Sequence, residues 1–276
     1  MILQQQRKGP GLIVLFGSGE MSPTGRKIHD TILKRLGLTP PVSIGILETP
    51  TGFEVNSIHG WPERMEAFFK TSLKNYKPVI ARIRALRRVG NYSTNDASIV
   101  DGILLQDYLY SGAGSPTYTV KHLVKSRAYA NLARAFERGT TLCLGSASAI
   151  AVGRYVLPVY EIYKAGEGLH WINGLNLLGN LGFNVAVIPH WNNMEGEDFD
   201  TTHCWMGKVR FELLKKLLPT NVTIIGIDEE TALVMDPKTK MCDVLGVGSV
   251  HIISKGKEKT MTTGKVFNFS ALLKSR

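Results

Sequence analysis

Apolar positions in the first 150 residues fall into short unbroken runs, separated by longer segments of helical period. Leu12-Ile-Val-Leu-Phe16 is one such run, and it ends in Gly17-Ser-Gly19. A run this short, bounded by glycine, predicts a buried strand and a turn. Ile28, Ile32, Leu33 and Leu36 then share one helical face, and Gly37 supplies the stop. Val42 to Leu47 is the next predicted strand, followed by Glu48-Thr-Pro-Thr-Gly-Phe-Glu54. Trp61 to Tyr76 predicts an amphipathic helix with Met65, Phe68, Phe69 and Leu73 in register. Pro78 to Leu86 reads as a strand, 95–105 as helical, and Tyr108 to Ser111 as a strand ending at Gly112-Ala-Gly114. Helical patterns run from Pro116 to Arg138, and Thr140 to Leu144 is a further strand.

Strands alternating with helices predict βαβ units and a mostly parallel sheet covered on both faces. Ligand sites in such sheets lie beyond the carboxyl ends of the strands. Gly17–Glu20, Glu48–Glu54, Gly112–Pro116 and Gly145–Ala149 all fall on that edge. The second half is less regular. Val185 to Pro189 and Thr223 to Ile227 read as strands, Asn192 to Thr202 as a polar loop, and Cys204 to Leu218 as a helix ended by Pro219. Thr231–Met235, Val244–Val247 and Val250–Ser254 predict a β-rich C-terminal layer. No Pro/Gly/Ser linker divides the chain, so residues 1–276 are expected to form one domain, with 1–11 and 255–276 as terminal extensions.

Composition supports a folded protein, since 43% of the 276 residues are hydrophobic and 20% charged. The net charge of +10 raises the question of nucleic acid. Arg82, Arg84, Arg87 and Arg88 form one basic run, and Lys255, Lys257 and Lys259 another. Neither is interleaved with aromatics or set in a nucleic-acid motif, so no nucleic-acid partner is expected. No apolar run reaches the roughly 18–20 residues of a membrane span, and the first ten residues hold no signal-peptide core. Three cysteines without a CxxC pair point away from a disulfide framework and toward a cytoplasmic location.

Leu142-Cys-Leu-Gly-Ser-Ala-Ser-Ala-Ile-Ala runs from a strand into a helix through small residues. Two readings of it stand open. In one, Ser146 is a nucleophile on a tight elbow and the Ala147 N–H helps bind an oxyanion. In the other, Ser146 caps a helix at an ordinary junction.

Taken together, several segments resemble the cyanophycinase and peptidase E (aspartyl dipeptidase) family of serine peptidases. They are Gly17-Ser-Gly-Glu20, Ser111-Gly-Ala-Gly-Ser-Pro116, the Ser146 turn, Ile188-Pro-His190 and Gly226-Ile-Asp-Glu-Glu-Thr-Ala232. They occur in the family's order across about residues 12–235. The resemblance implies an α/β three-layer sandwich like the class I glutamine amidotransferases, with a β-rich C-terminal extension. It implies Ser146 as nucleophile, His190 as general base, Glu229 as the orienting carboxylate, and Gly114 as the second oxyanion donor. Leu144 and Ser148 stand where the family's elbow has glycines. A register shifted by one residue would place Gly145 at the first glycine and Ala147 at the nucleophile position, giving an inactive enzyme. Ile188 replaces an acidic residue, and Ser115-Pro116 stand where cyanophycinases carry glutamine.

The chemistry is coherent without the resemblance. A serine hydroxyl needs a base, histidine titrates near neutrality, and a carboxylate fixes its tautomer. A short peptide or isopeptide is the expected substrate, with no cofactor; a homodimer stays open. A catalytically impaired homologue that binds a small peptide-like or amidated ligand is the alternative. Glu20, Ser115, Trp191, Asn192 and Asn193 are the candidate substrate-binding residues; Glu48 shares Glu20's strand-end placing. His190, Glu195, Asp198, Asp200, His203 and Cys204 carry ligand chemistry but lack zinc spacing, so no metal is expected. Cys143 lies three positions before the elbow and is expected to be buried and inert. Gly17-Ser-Gly19 lacks the third glycine of a dinucleotide fingerprint.

Overall fold

A computed structural model describes residues 9–54, 56 and 60–273. Residues 1–8 and 274–276, parts of the two expected extensions, lie outside the described residues. Five strands begin the chain: β1 (Ile13–Phe16), β2 (Ser43–Leu47), β3 (Val79–Ile83), β4 (Tyr108–Ser111) and β5 (Thr141–Gly145). They pair in parallel in the order β1-β5-β4-β2-β3. The intervening helices are α1 (Pro23–Leu36), α2 (Trp61–Ser72), α3 (Ala97–Val100), α4 (Pro116–Leu123) and α5 (Arg127–Glu137). After β5 come α6 (Ala147–Ala151), β6 (Tyr155–Val156), α7 (Val159–Tyr163), β7 (Ile172–Asn173) and β8 (Val185–Ile188). The chain then forms α8 (Thr202–Trp205), α9 (Gly207–Leu217), β9 (Thr223–Ile227), β10 (Thr231–Asp236), β11 (Met241–Gly246), β12 (Ser249–Ser254), β13 (Lys257–Thr262) and β14 (Val266–Asn268).

The fold is mixed α/β with two sheets rather than one sheet under a terminal layer. β10, β11 and β14 extend the first sheet antiparallel beyond β1, making eight strands. The second sheet runs β13-β12-β9-β8-β6-β7, with β6, β8 and β9 parallel. The expected C-terminal β layer is therefore shared between the two sheets. Two-residue strands such as β6 and β7 carry too little pattern to be seen in sequence.

Alternation along β1 explains how the first sheet is held. Val14 and Phe16 join an apolar core with α1 and α2, through Ile28, Ile32, Met65 and Phe69. Ile13 and Leu15 point the other way, into a larger core with α4, α5, α6 and the second sheet. This is the period-two geometry of a strand buried on both faces. Each parallel strand consequently ends in a turn on one shared edge.

Several boundaries differ from expectation. The helix expected over 116–138 breaks at Val124–Ser126, where Ser126 caps α5 by accepting from the Tyr129 N–H. Residues 95–105 form one α turn and a 3₁₀ segment. The helix expected from Cys204 begins at Gly207, because His203, Cys204 and Trp205 all have positive φ. Among the described residues no helix is long and apolar enough to cross a membrane.

Candidate active site

The ends of β5, β8 and β9 bring three side chains into line. Ser146 Oγ lies 3.1 Å from His190 Nε2, and His190 Nδ1 lies 2.8 Å from Glu229 Oε1. Ser146 follows β5 directly, with φ 44° and ψ −111°. A side chain rarely adopts that backbone, and such strain persists only where the surroundings impose it. Here its N–H donates to the Phe16 carbonyl at 3.4 Å, and its side chain makes no capping bond to α6. The helix-cap reading of the segment is thereby set aside. Ala147, in the shifted register, is 1% exposed within α6 and has no reactive atom.

His190 also has a positive φ, of 51°. Its N–H donates to the Gly17 carbonyl and its carbonyl accepts from the Cys204 N–H, so the β1 turn and the α8 turn both fix it. The Trp205 ring lies 4.8 Å from the imidazole between centroids. This contact follows from the left-handed run at 203–205, a conformation that Cys204 and Trp205 do not signal in sequence.

Glu229 is held from two sides. The Asn193 side-chain amide donates to its Oε1 at 3.0 Å, and the Glu229 N–H donates to Asn192 Oδ1 at 2.8 Å. The hydrogen bond from His190, with that from Asn193, holds its carboxyl below the usual range despite partial burial. Asn192 and Asn193 thus sit around the carboxylate, not around the cavity beside Ser146.

That cavity has a volume of about 240 Å³, and Ser146, Ala147 and Gly114 all line it. Among the described residues neither the Gly114 nor the Ala147 N–H has a hydrogen-bond partner. Gly114 has φ 136°, and a Cβ there would stand 2.0 Å from the Pro50 carbonyl oxygen. That same oxygen accepts from the Ser115 N–H at 3.0 Å, fixing the turn. Ser115 Oγ accepts from the Tyr118 N–H as the cap of α4.

The substituted glycine positions are accommodated. Leu144 is 3% exposed and packs in the larger core. Ser148 points away from the cavity, with its hydroxyl 2.8 Å from Ser111 Oγ and 3.3 Å from the Gly112 carbonyl. Glu20 is 2% exposed, accepts from Tyr110 Oη at 3.3 Å, and fills the space beside Gly145. Burial raises its carboxyl, against smaller opposing effects of its own backbone N–H, the His190 charge and Tyr110. Trp191 faces the core, stacked on His251 and edge-on to Phe211. Glu48 is also buried and binds Arg82. Burial pushes the Cys143 thiol well above its ordinary range. Among the described residues no three His, Cys, Asp or Glu side chains stand close enough to share a metal ion.

Comparison with known proteins places this arrangement in context. No protein-family model and no curated protein matches the chain. A peptidase from an acI-B1 Actinobacterium superposes with a TM-score of 0.74 at 22% identity, over 96% of this chain and 99% of that one. The chain has the fold of that peptidase. A second solved structure, the "Putative Peptidase E Protein" of Listeria monocytogenes EGD-e, gives a TM-score of 0.53 at 11% identity, over 92% of this chain and 100% of that one. Sequence reasoning missed Tyr160 and Tyr163 on α7, Lys164 at its C-terminal cap and Trp205 on α8, which all line the cavity. Neither short element has a pattern that announces it.

Proposed function

We propose that the protein is a serine-type peptidase of the peptidase E and cyanophycinase kind, hydrolysing a short peptide or isopeptide. One observation carries the reading: the hydrogen-bonded line Ser146–His190–Glu229 beside a cavity with two unengaged N–H groups. The likeness of fold to the two solved structures supports it.

The geometry suits acyl transfer. His190 Nε2 removes the Ser146 proton as Oγ bonds to the substrate carbonyl carbon. The carbonyl oxygen takes up the electron pair and is bound by the Ala147 and Gly114 N–H groups. His190 then returns the proton to the amine as the C–N bond breaks, leaving an acyl-serine. Water, deprotonated by the same imidazole, releases the acid and restores Ser146. Glu229 keeps the proton on Nδ1 and stabilises the imidazolium, so Nε2 stays an acceptor. Asn192 and Asn193 position Glu229. No step requires a cofactor.

A fluorophosphonate probe tests the reading. Labelling at Ser146, lost together with peptide hydrolysis in Ser146→Ala, is expected. An unlabelled protein whose ligand binding survives Ser146→Ala would support the impaired homologue instead. The fit of Leu144 and Ser148 favours the hydrolase.

A further inference from the structure

We infer that the cavity beside Ser146 takes the large apolar side chain of the residue whose carbonyl is attacked. The inference rests on the serine-peptidase reading and adds the substrate class.

Position comes first. Ser146 and both N–H donors line the cavity, whereas His190 does not. His190 must hand its proton to the departing amine, so the amine leaves on its side. The cavity therefore lies on the acyl side of the scissile bond.

Chemistry follows from the walls. Ile150, Val159, Tyr160, Tyr163 and Trp205 supply the large aliphatic and aromatic side chains of the lining. Ile150 and Val159 are 2% and 6% exposed, so their apolar surface forms a fixed wall. Cys204 also contributes, and burial keeps its thiol neutral. Lys164 brings the cavity's one formal charge among the described residues. Its side chain is solvent-exposed, and its Nζ lies 4.8 Å from the Tyr163 ring centroid. A charge in that position is screened by water and cannot compensate a carboxylate pushed into the interior. Arg82 is paired with Glu48 and Glu63 and does not line this cavity. An aspartyl side chain would meet only the solvent-exposed Lys164 and an arginyl side chain no acid in the lining, whereas phenylalanine or leucine would replace water against apolar walls.

The test is a panel of X-Ala dipeptides and their N-acetyl forms, with X being Phe, Leu, Ala, Asp or Arg, alongside fluorophosphonate labelling. Labelling with kcat/KM for Phe or Leu at least about 10-fold above Ala, and about 100-fold above Asp, is expected. Labelling with Asp or Arg cleaved as well as Leu, or with no member cleaved, overturns this inference alone. No labelling and no cleavage removes the peptidase reading beneath it. Val159→Phe narrows the cavity and should lower the Phe-to-Ala ratio about 10-fold while labelling persists. Should that variant fail to fold, Tyr160→Ala, at a side chain 44% exposed, should lower the same ratio. An unchanged ratio in a folded variant overturns the assignment.

Discussion

The hydroxyls of Ser111 and Ser148 lie 2.8 Å apart, both buried, and join the end of β4 to α6. This contact ties the Gly112–Gly114 turn to the helix that follows Ser146, so both N–H donors of the cavity share one brace. Ser148 occupies the position where the peptidase E pattern has glycine, and the brace accounts for the exchange.

Removing either hydroxyl breaks this buried bond and leaves its neighbour only a longer one, from Ser111 to the Leu47 carbonyl or from Ser148 to the Gly112 carbonyl, each 3.3 Å. Ser148→Ala should cost about 1–2 kcal/mol in urea denaturation. In a double-mutant cycle with Ser111→Ala, the coupling should be about 1 kcal/mol. Additive single effects would mean that the two hydroxyls do not depend on each other. Ser148→Gly should cost more than Ser148→Ala, because glycine inside a helix adds about 1 kcal/mol.

The backbone at Ser146 yields a separate prediction. Glycine adopts positive φ freely, whereas alanine keeps the Cβ that makes the turn costly. Both Ser146→Gly and Ser146→Ala lack the hydroxyl, so comparing them isolates the backbone. Ser146→Gly should be more stable than Ser146→Ala by about 1 kcal/mol, seen as a higher midpoint in thermal melting. Equal midpoints would show an unstrained turn.

Most of this geometry follows from features that are local in sequence. Leu12–Phe16 is a continuous apolar run and Val42–Leu47 an apolar-rich one, with glycine or proline beyond them, and they form β1 and β2 with their ends on one edge. Ser146, His190 and Glu229 each lie within two residues of a strand's end, and the family resemblance, not the strand pattern, singles them out. Trp191 was misplaced because an aromatic just after a predicted strand looks the same whether it turns toward solvent or toward Phe211. Asn192 and Asn193 read as ligand contacts in sequence, yet their side chains bond to Glu229, 37 and 36 residues away. Long-range pairing of that kind leaves no periodic trace. The left-handed run at 203–205 left none either, and with it the Trp205 wall of the cavity was hidden.

Glu229→Gln should keep the fold and lose catalysis. A glutamine that keeps its carbonyl toward His190 and Asn193 loses the charge that stabilises the imidazolium, and one turned the other way favours the tautomer with the proton on Nε2, where it cannot accept from Ser146. A fall in kcat of about 10³–10⁴-fold is expected, measured on any peptide the protein cleaves. The same variant carries a pH signature. The Glu229 carboxyl is held low in the folded state by His190, so it adds stability above the ordinary carboxylate range. That contribution fades as pH falls through its lowered value. The stability advantage of Glu229 over Gln should therefore be present at neutral pH and shrink under acid conditions. An advantage that persists in acid would contradict the lowered carboxyl.

Glu20 should behave in the opposite sense. Burial raises its carboxyl in the folded protein, so the fold holds the proton more tightly than the unfolded chain does. Its contribution is complete below the ordinary carboxylate range and declines as pH rises through the raised value. Glutamine has nearly the same shape, can occupy the space beside Gly145, and never ionises. Glu20→Gln should accordingly match the parent protein near pH 4 and exceed it near pH 8 in denaturant midpoint. A variant weaker than the parent at pH 8 would mean that Glu20 is ionised in the fold and paired there.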